Sequence, residues 1–235
     1  MPKIKYLSIR FSNHLFPNEI PLFRAAVIEK TQRASDLFHN HKDDSKYFFR
    51  YPLIQYKINR KKASIVCLQD GTDEIHQLLK YRDLVMHLAG KKINFEIEDV
   101  NLHYHQLQLW DKKFHFSIHN WLALNQKHHD RYQELKADPD AQKDLLESIL
   151  KGNILAMAKG IGWHVEERIQ VEITEIKETK YLPFKRHKLL AFSVNFISNV
   201  SLPDYIGLGK GSSIGFGIIR AFYPKQKQIP DEQKN

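Results

Sequence analysis

The sequence predicts an α+β fold made of two similar halves. In some short segments apolar residues occupy every second position, which is typical of half-buried strands. In others they recur every three to four positions, as in amphipathic helices. The same succession of strands and helices occurs in residues 3–100 and, less completely, in residues 113–223. A chain of 235 residues has room for two domains of ordinary size.

The first half reads as strand, helix, strand, strand, helix, strand. Pro21 suits the first turn of a helix, and a polar turn at residues 59–62 separates two strands. The predicted strands are residues 3–12, 51–58, 63–68 and 92–100, and the predicted helices are residues 21–38 and 73–87. This order is that of the ferredoxin-like, or split βαβ, fold.

The second half repeats this order with one helix missing, so we expect a degenerate second copy. The predicted strands are residues 113–118, 169–174, 189–198 and 218–223, with a helical stretch over 125–159 and breaks at Pro139 and Gly152. The predicted fold is therefore two tandem ferredoxin-like domains. They would comprise residues 1–110 and 111–224, joined near Trp110 and followed by a polar tail at 225–235.

The charge of the chain points to a polyanionic partner. Lysine and arginine number 36 against 27 aspartates and glutamates, which leaves a net charge of +9, and 13 histidines could add positive charge in the field of a polyanion. Such an excess favours binding to nucleic acid through its phosphates but says nothing about the fold.

Cysteine content and hydropathy indicate the cellular compartment in which the protein is expected to work. The lone Cys67 lies in the apolar segment ASIVCLQ, so neither a disulfide framework nor a cysteine-rich zinc site is expected. No apolar run reaches the ~18 residues of a membrane span, and the first residues alternate as in a strand, unlike a signal peptide. We expect a protein of the reducing cytoplasm that does not bind membranes.

A glycine-rich segment, GLGKGSSIGFG, precedes the last predicted strand. Its backbone N–H groups could form a nest for an anion such as a phosphate. It is not the dinucleotide fingerprint, because a strand and not a helix follows it, and it lacks the ending of a nucleotide-binding P-loop. The alternative is a flexible connection. The candidate RNA-binding positions are Gly207, Gly209, Lys210, Gly211, Ser212, Ser213, Gly215 and Gly217.

This segment, at the end of a basic two-domain ferredoxin-like chain, resembles the signature loop of the sixth CRISPR-associated protein family. Members of that family are endoribonucleases that cut the repeat RNA of precursor CRISPR transcripts. The resemblance in layout extends from Lys3 to Tyr223, and the loop is its specific part. The family places a catalytic histidine just after the first helix. His39 and His41 stand there as HNH, which is similar to a branch with two histidines so spaced, and YPLIQYK at 51–57 also resembles its early strand.

The chemistry of RNA cleavage suits such a pair. The 2′-hydroxyl beside the scissile phosphate is an internal nucleophile, so an enzyme needs to align it, remove its proton and protonate the leaving 5′-oxygen. Histidine suits both tasks because its ordinary pKa of ~6.5 lies near working pH. Lys57 or Lys42 could stabilise the negative charge of the transition state. The resemblance implies a reaction without metal or cofactor that gives 2′,3′-cyclic phosphate and 5′-hydroxyl ends.

The HNH segment is also compatible with two roles outside catalysis. Histidines near a helix C-terminus interact favourably with the helix dipole, so the pair could be a polar helix end. With Asp43 and Asp44 they could bind a divalent metal, although no further ligand is predicted nearby. The segment is not the HNH motif of metal-dependent nucleases, which is spread over tens of residues.

Further basic residues are candidates for RNA contact. Arg220 follows the glycine segment by three residues, and Lys185, Arg186 and Lys188 lie on a predicted hairpin tip, where a solvated turn is the alternative. The expected partner is CRISPR repeat RNA, with other CRISPR effector subunits and a second copy of the chain as further candidates. The alternatives to an enzyme are a relative that holds RNA without cutting it and a basic ferredoxin-like protein with an unrelated nucleic-acid role.

Overall fold

Two four-stranded antiparallel sheets form the framework of the chain. The structure, a computed structural model, describes residues 3–32, 36–39, 41–42, 46–47 and 51–222; for residues 39, 41, 42, 46 and 47 it describes the backbone only. No helix in these ranges is long and apolar enough to span a membrane.

The first sheet lies in residues 3–106. The strands of this half are β1 (Lys3–His14), β2 (His41–Lys42), β3 (Lys46–Tyr47), β4 (Ile54–Asn59), β5 (Lys62–Leu68), β6 (Val85–Leu88), β7 (Lys91–Asn94) and β8 (Ile97–Gln106). Its α-helices are α1 (Ile20–Lys30), α2 (Asp36–His39), α3 (Asp70–Glu74) and α4 (His76–Leu79). The sheet order is β4-β5-β1-β8, while β2 pairs with β3 and β6 with β7 as separate ribbons.

The second sheet repeats this arrangement strand for strand. Its elements are β9 (Leu109–Trp121), α5 (Gln126–Glu134), α6 (Pro139–Gly160), β10 (Val171–Phe184), β11 (His187–Val200) and β12 (Ile218–Ala221). The order β10-β11-β9-β12 matches that of the first sheet position by position. In place of a second helix there is one 3-10 turn, Ser212–Ile214. The predicted fold of two tandem ferredoxin-like domains, the second degenerate, is confirmed.

Both faces of β5, an inner strand of the first sheet, are buried, which explains its apolar run SIVCL. On one face Ile9 packs in a core with Phe23 and other residues of α1. On the other face Tyr6 and Val66 belong to a core that continues into the second half. The two halves are therefore joined by one continuous apolar core.

The first predicted helix, residues 21–38, is wrong in its extent. Helix α1 ends at Lys30, where the Thr31 hydroxyl donates a hydrogen bond to the Val27 carbonyl (2.9 Å). Gln32 then has a left-handed φ of 54°. A threonine hydroxyl that bonds back to the preceding turn weakens a helix at that point. The separate helix α2 begins at Asp36.

The second predicted helix, residues 73–87, is also wrong. The chain forms the short helices α3 and α4 and then the hairpin β6–β7. Ala89 and Gly90 connect the two strands with φ values of 52° and 78°, as a tight hairpin turn requires. Met86 is buried and His87 is exposed, so burial alternates from one residue to the next, as in a strand.

In the second half the predicted elements are found with shifted bounds. Pro139 opens α6, but Gly152 lies inside that helix and does not break it. Trp110, placed in a connection by the sequence, lies within β9. The chain passes from one sheet to the other at residues 107–108.

Candidate RNA-binding site

The segment 207–217, called here the glycine loop, has a closed backbone. The Leu208 amide donates to the Gly217 carbonyl (2.9 Å), and the Ile214 amide donates to the Gly211 carbonyl (2.9 Å). Gly217 has a φ of 62°, and a Cβ there would lie 2.0 Å from the Leu208 oxygen. Only glycine fits this position without displacing the backbone of Leu208.

The inner side of the glycine loop lies against the first half of the chain. The Gly207 amide donates a buried hydrogen bond to Gln55 Oε1 on β4 (2.9 Å). The backbone at Gly215 lies so close to α1 that a Cβ would be 2.6 Å from Ile20 Cδ1. The loop thus fastens the two halves together.

The outer side of the glycine loop faces a cleft of about 710 Å³, called here the loop cleft. Its opposite walls are α5 with α6, and Tyr51 with Pro52 at the start of the β4 segment. The loop contributes Gly209, Lys210, Gly211, Ser212 and Ser213 to the lining. The cleft therefore combines an exposed cation and hydroxyls with apolar walls.

Lys210 and the hairpin tip share this outer side. The Lys210 side chain is exposed, and its ammonium lies 5.4 Å from the centre of the Phe184 ring. Phe184 also packs edge-on against Phe216 of the glycine loop, with ring centres 5.6 Å apart. Exposed basic residues follow Phe184 directly at the β10–β11 turn: Lys185, Arg186 and Lys188. The structure thus brings these predicted positions to the neighbourhood of the loop.

The backbone of the HNH segment begins near the same place. His39 is the last residue of α2, and His41 begins β2, where it pairs with Tyr47. The Phe38 carbonyl accepts hydrogen bonds from Tyr56 on β4 (3.4 Å) and from Arg24 on α1 (3.5 Å). The side chains of His39 and His41, and all of Asp43 and Asp44, lie outside the described residues. Strand β4 therefore holds both the glycine loop and the residue before His39.

Lys57 lies elsewhere than predicted. Its side chain is 0% exposed, and its ammonium donates to the Tyr205 carbonyl (2.5 Å) between the two halves. Burial holds the pKa of Lys57 well below its usual value; the Arg220 charge lowers it further, and Asp204 opposes this. The sequence of β4 does not indicate that the Lys57 side chain faces the second half. In this position Lys57 joins the two halves and does not reach a surface phosphate, so we do not retain it as a catalytic residue.

Arg220 lies apart from the loop cleft. It lies 3.8 Å from the centre of the Tyr205 ring and pairs with Asp204 (3.5 Å). These residues line a different cleft, with Tyr6 and His103 on the first sheet. The three-residue spacing from the glycine loop does not bring Arg220 to the loop cleft, because the pleat of β12 directs it to the other cleft.

Sequence reasoning missed residues on the opposite wall. Asn125 caps α5 by accepting from the His128 amide (2.8 Å), and both residues line the loop cleft. His128 is half-buried there. The sequence signal was the Asn-cap before a histidine pair, but only the fold places α5 opposite Lys210. Among the described residues no three His, Cys, Asp or Glu side chains group as metal ligands.

Comparison with known proteins identifies the family. Family models of the Cas6b N-terminal domain and the Cas6b C-terminal domain match residues 2–106 and 108–222. A crystal structure of Cas6b is similar to this chain with a TM-score of 0.82 and 25% identity, covering 94% of this chain and 100% of that one. A crystal structure of the CRISPR RNA processing endoribonuclease Cas6b is similar to this chain with a TM-score of 0.72 and 23% identity, and it also covers 94% of this chain and 100% of that one.

Two further similarities are more distant or partial. Csf5, a type IV Cas6 crRNA endonuclease, shares the fold, with a TM-score of 0.53, 12% identity, and coverage of 94% of this chain and 100% of its own. The uncharacterized protein MJ0978 of Methanocaldococcus jannaschii is 39% identical over 102 residues, which are 43% of this chain and 67% of the relative. Because the two family models together span nearly all of the sequence, the chain belongs to the Cas6b family of CRISPR-associated proteins.

Proposed function

We propose that this chain is an endoribonuclease that cuts CRISPR precursor RNA within its repeats. The observation that carries the proposal is the match of both halves to the Cas6b models, over residues 2–106 and 108–222. A solved structure similar to this chain over 94% of its length is named as a CRISPR RNA processing endoribonuclease. The net charge of +9 is consistent with a polyanionic substrate.

Cleavage proceeds by attack of the substrate 2′-hydroxyl on the adjacent phosphate. One of His39 and His41 takes the proton of that hydroxyl, and the other, protonated, gives a proton to the leaving 5′-oxygen. No metal or cofactor is needed for these steps, because the nucleophile belongs to the RNA and both proton transfers lie within reach of an imidazole pKa. With Lys57 buried in the interior, Lys42 is the predicted partner for the negative charge of the transition state.

The RNA backbone binds along the outer side of the glycine loop. Lys210 supplies a charge there, and Ser213 supplies a hydroxyl at the wall of the loop cleft. His128 faces them from α5, and the exposed Lys185 and Arg186 extend the basic surface along the hairpin tip. A structured repeat would be held mainly through its phosphates and shape by these groups.

The second candidate function is a binding one: the chain holds repeat RNA, alone or with other CRISPR effector subunits, without cutting it. The buried position of Lys57 favours this candidate, since it removes one of the proposed catalytic charges. Intact His39 and His41 favour the enzyme.

Cleavage of a CRISPR repeat RNA in excess EDTA distinguishes the two. The variant His39→Ala/His41→Ala is compared with His76→Ala/His87→Ala, which removes two exposed histidines of the same half. We expect site-specific cleavage by wild type and by the control, and loss of at least about 10³-fold in rate in the first variant, since general acid–base catalysis contributes 10²–10⁴-fold. If wild type binds the RNA tightly but does not cut it, only the binding function remains. Cleavage that requires a divalent metal would refute the mechanism.

A further inference from the structure

Strand β8 forms a long outer edge of the first sheet. It has ten residues, pairs with β1 on one side, and has no strand on its other side among the described residues. Such an edge presents a row of backbone N–H and C=O groups without strand partners, which makes it a template for another strand.

The side chains of β8 present an apolar row to solvent. Val100, Leu102 and Tyr104 are 51%, 61% and 62% exposed. They lie on the face shared with Leu7 and Ile9 of β1, which are buried in the core beneath the helices. The helical cover therefore ends at β1, and three apolar side chains at alternate positions remain beyond it.

β8 has fewer of the features that keep edge strands apart. Its sequence, IEDVNLHYHQ, contains no lysine, arginine or proline, and its two acidic residues, Glu98 and Asp99, stand together near its start, where Glu98 pairs with Arg10 and Lys62. By contrast β10, the long edge of the second sheet, reads VEITEIKETKYLPF and carries lysines, glutamates and a proline. Charges and proline on an edge prevent strand addition. The two long edges of one molecule thus differ: charges recur along β10, whereas residues 100–106 of β8 carry no lysine, arginine, aspartate or glutamate.

The side chains of β8 are complementary to themselves under a two-fold rotation. An antiparallel pair of β8 strands centred on Leu102 places Leu102 opposite its copy and Val100 opposite Tyr104. The same register sets Asn101 opposite His103 and the acidic Asp99 opposite His105. Centring on Val100 instead would set Glu98 against Leu102, which is unfavourable. Apolar cross-strand neighbours are among the pairs that stabilise a sheet, so the Leu102 and Val100–Tyr104 pairs favour this register.

We propose that two copies of this chain associate through antiparallel pairing of their β8 strands, about a two-fold axis at Leu102. The first sheets of the two copies then form one continuous eight-stranded sheet. The paired region, residues 98–106, is about 30 Å long at ~3.4 Å per residue. This surface is separate from the loop cleft, and the proposal is independent of RNA cleavage.

Two charge variants test the proposal by light scattering and sedimentation of the full chain without RNA. Leu102→Glu puts two carboxylates opposite each other at the axis, and Ile176→Glu makes the same change on an exposed position of β10. We expect wild type and Ile176→Glu to be dimers and Leu102→Glu to be monomeric, with the dissociation constant raised by at least about 100-fold. A wild type that stays monomeric up to about 100 µM, a concentration that populates all but the weakest dimers, would overturn the proposal.

A thiol variant tests the register without destabilising the strand. Cys67 is buried and the chain has no other cysteine, so an introduced thiol can be followed alone. Under oxidised glutathione, Leu102→Cys should form a disulfide-linked dimer, because opposite Cβ atoms in a sheet lie ~4.5–5.5 Å apart. Ile176→Cys should stay monomeric. A dimer that survives Leu102→Glu, or that cross-links through position 176 and not 102, would show that another surface is used.

Discussion

The shape of the glycine loop depends on Gly217, and replacing it by alanine should cost far more stability than an equivalent change elsewhere. Gly217 has a φ of 62°, and a Cβ would lie 2.0 Å from the Leu208 oxygen. Gly162 is the matched control: its φ is 75°, and no atom lies within 4 Å of the Cβ position. Both substitutions place a side chain in the left-handed region, but only one also creates a backbone clash.

The expected losses of stability follow from the left-handed φ and from the backbone clash. The left-handed conformation costs an alanine roughly 1–2 kcal/mol, which is the expected loss for Gly162→Ala. In Gly217→Ala the backbone must also separate from Leu208, which breaks the hydrogen bond from the Leu208 amide to the Gly217 carbonyl (2.9 Å). A buried polar group left without a partner costs about 1–3 kcal/mol. We therefore expect a loss of about 3–4 kcal/mol for Gly217→Ala.

Urea and thermal unfolding followed by circular dichroism measure both variants. At 2–4 °C per kcal/mol for a chain of this size, the midpoint of thermal unfolding should fall by about 10 °C for Gly217→Ala and about 4 °C for Gly162→Ala. Equal losses in the two variants would refute the reasoning, because they would mean that the loop backbone moves away from Leu208 without cost.

Two further predictions concern charge. Lys210→Ala should weaken RNA binding and reduce the slope of log affinity against log salt by about 1. The control Lys91→Ala, which changes an exposed residue of β7, should leave this slope unchanged. Equal slopes in the two variants would place Lys210 outside the interface. Because burial lowers the pKa of Lys57 in the folded state, the unfolded chain binds more protons between that pKa and the usual ~10.4. The free energy of unfolding should therefore rise with pH through this window in wild type and rise less in Lys57→Met. Urea titrations from pH 7 to 9.5 measure this free energy for both proteins. The same dependence on pH in the two proteins would contradict the prediction.

The fold is largely predictable because its signal is repeated. Alternation in β1 and β9, the apolar run in β5 and the glycine segment before β12 indicate the order of elements in both halves. One error, in the second predicted helix, falls where two periods compete. The pattern of segment 85–88 also fits the end of a helix, and only the turn at Ala89–Gly90 shows that it is a strand.

The candidate site is predictable in part, since local sequence does not specify which half a side chain faces. The sequence suggests that Lys57 stabilises the transition state and that Arg220 contacts RNA, yet both residues contact Tyr205 between the halves. Lys210 can be identified because it is the one charged residue in a loop of closely spaced glycines, and its side chain is exposed. His128 cannot, because its place opposite the loop depends on how α5 packs.

The chemical identity of the product ends tests the central claim most directly. Repeat RNA is incubated with the full chain in excess EDTA, and the fragments are analysed by mass spectrometry, beside a substrate with one 2′-deoxy nucleotide at the cut. The account predicts a 2′,3′-cyclic phosphate on the upstream fragment, a 5′-hydroxyl on the downstream fragment, and no cleavage of the deoxy substrate. A 5′-phosphate with a 3′-hydroxyl, or cleavage of the deoxy substrate at the same position, would show that water is the nucleophile and would contradict it.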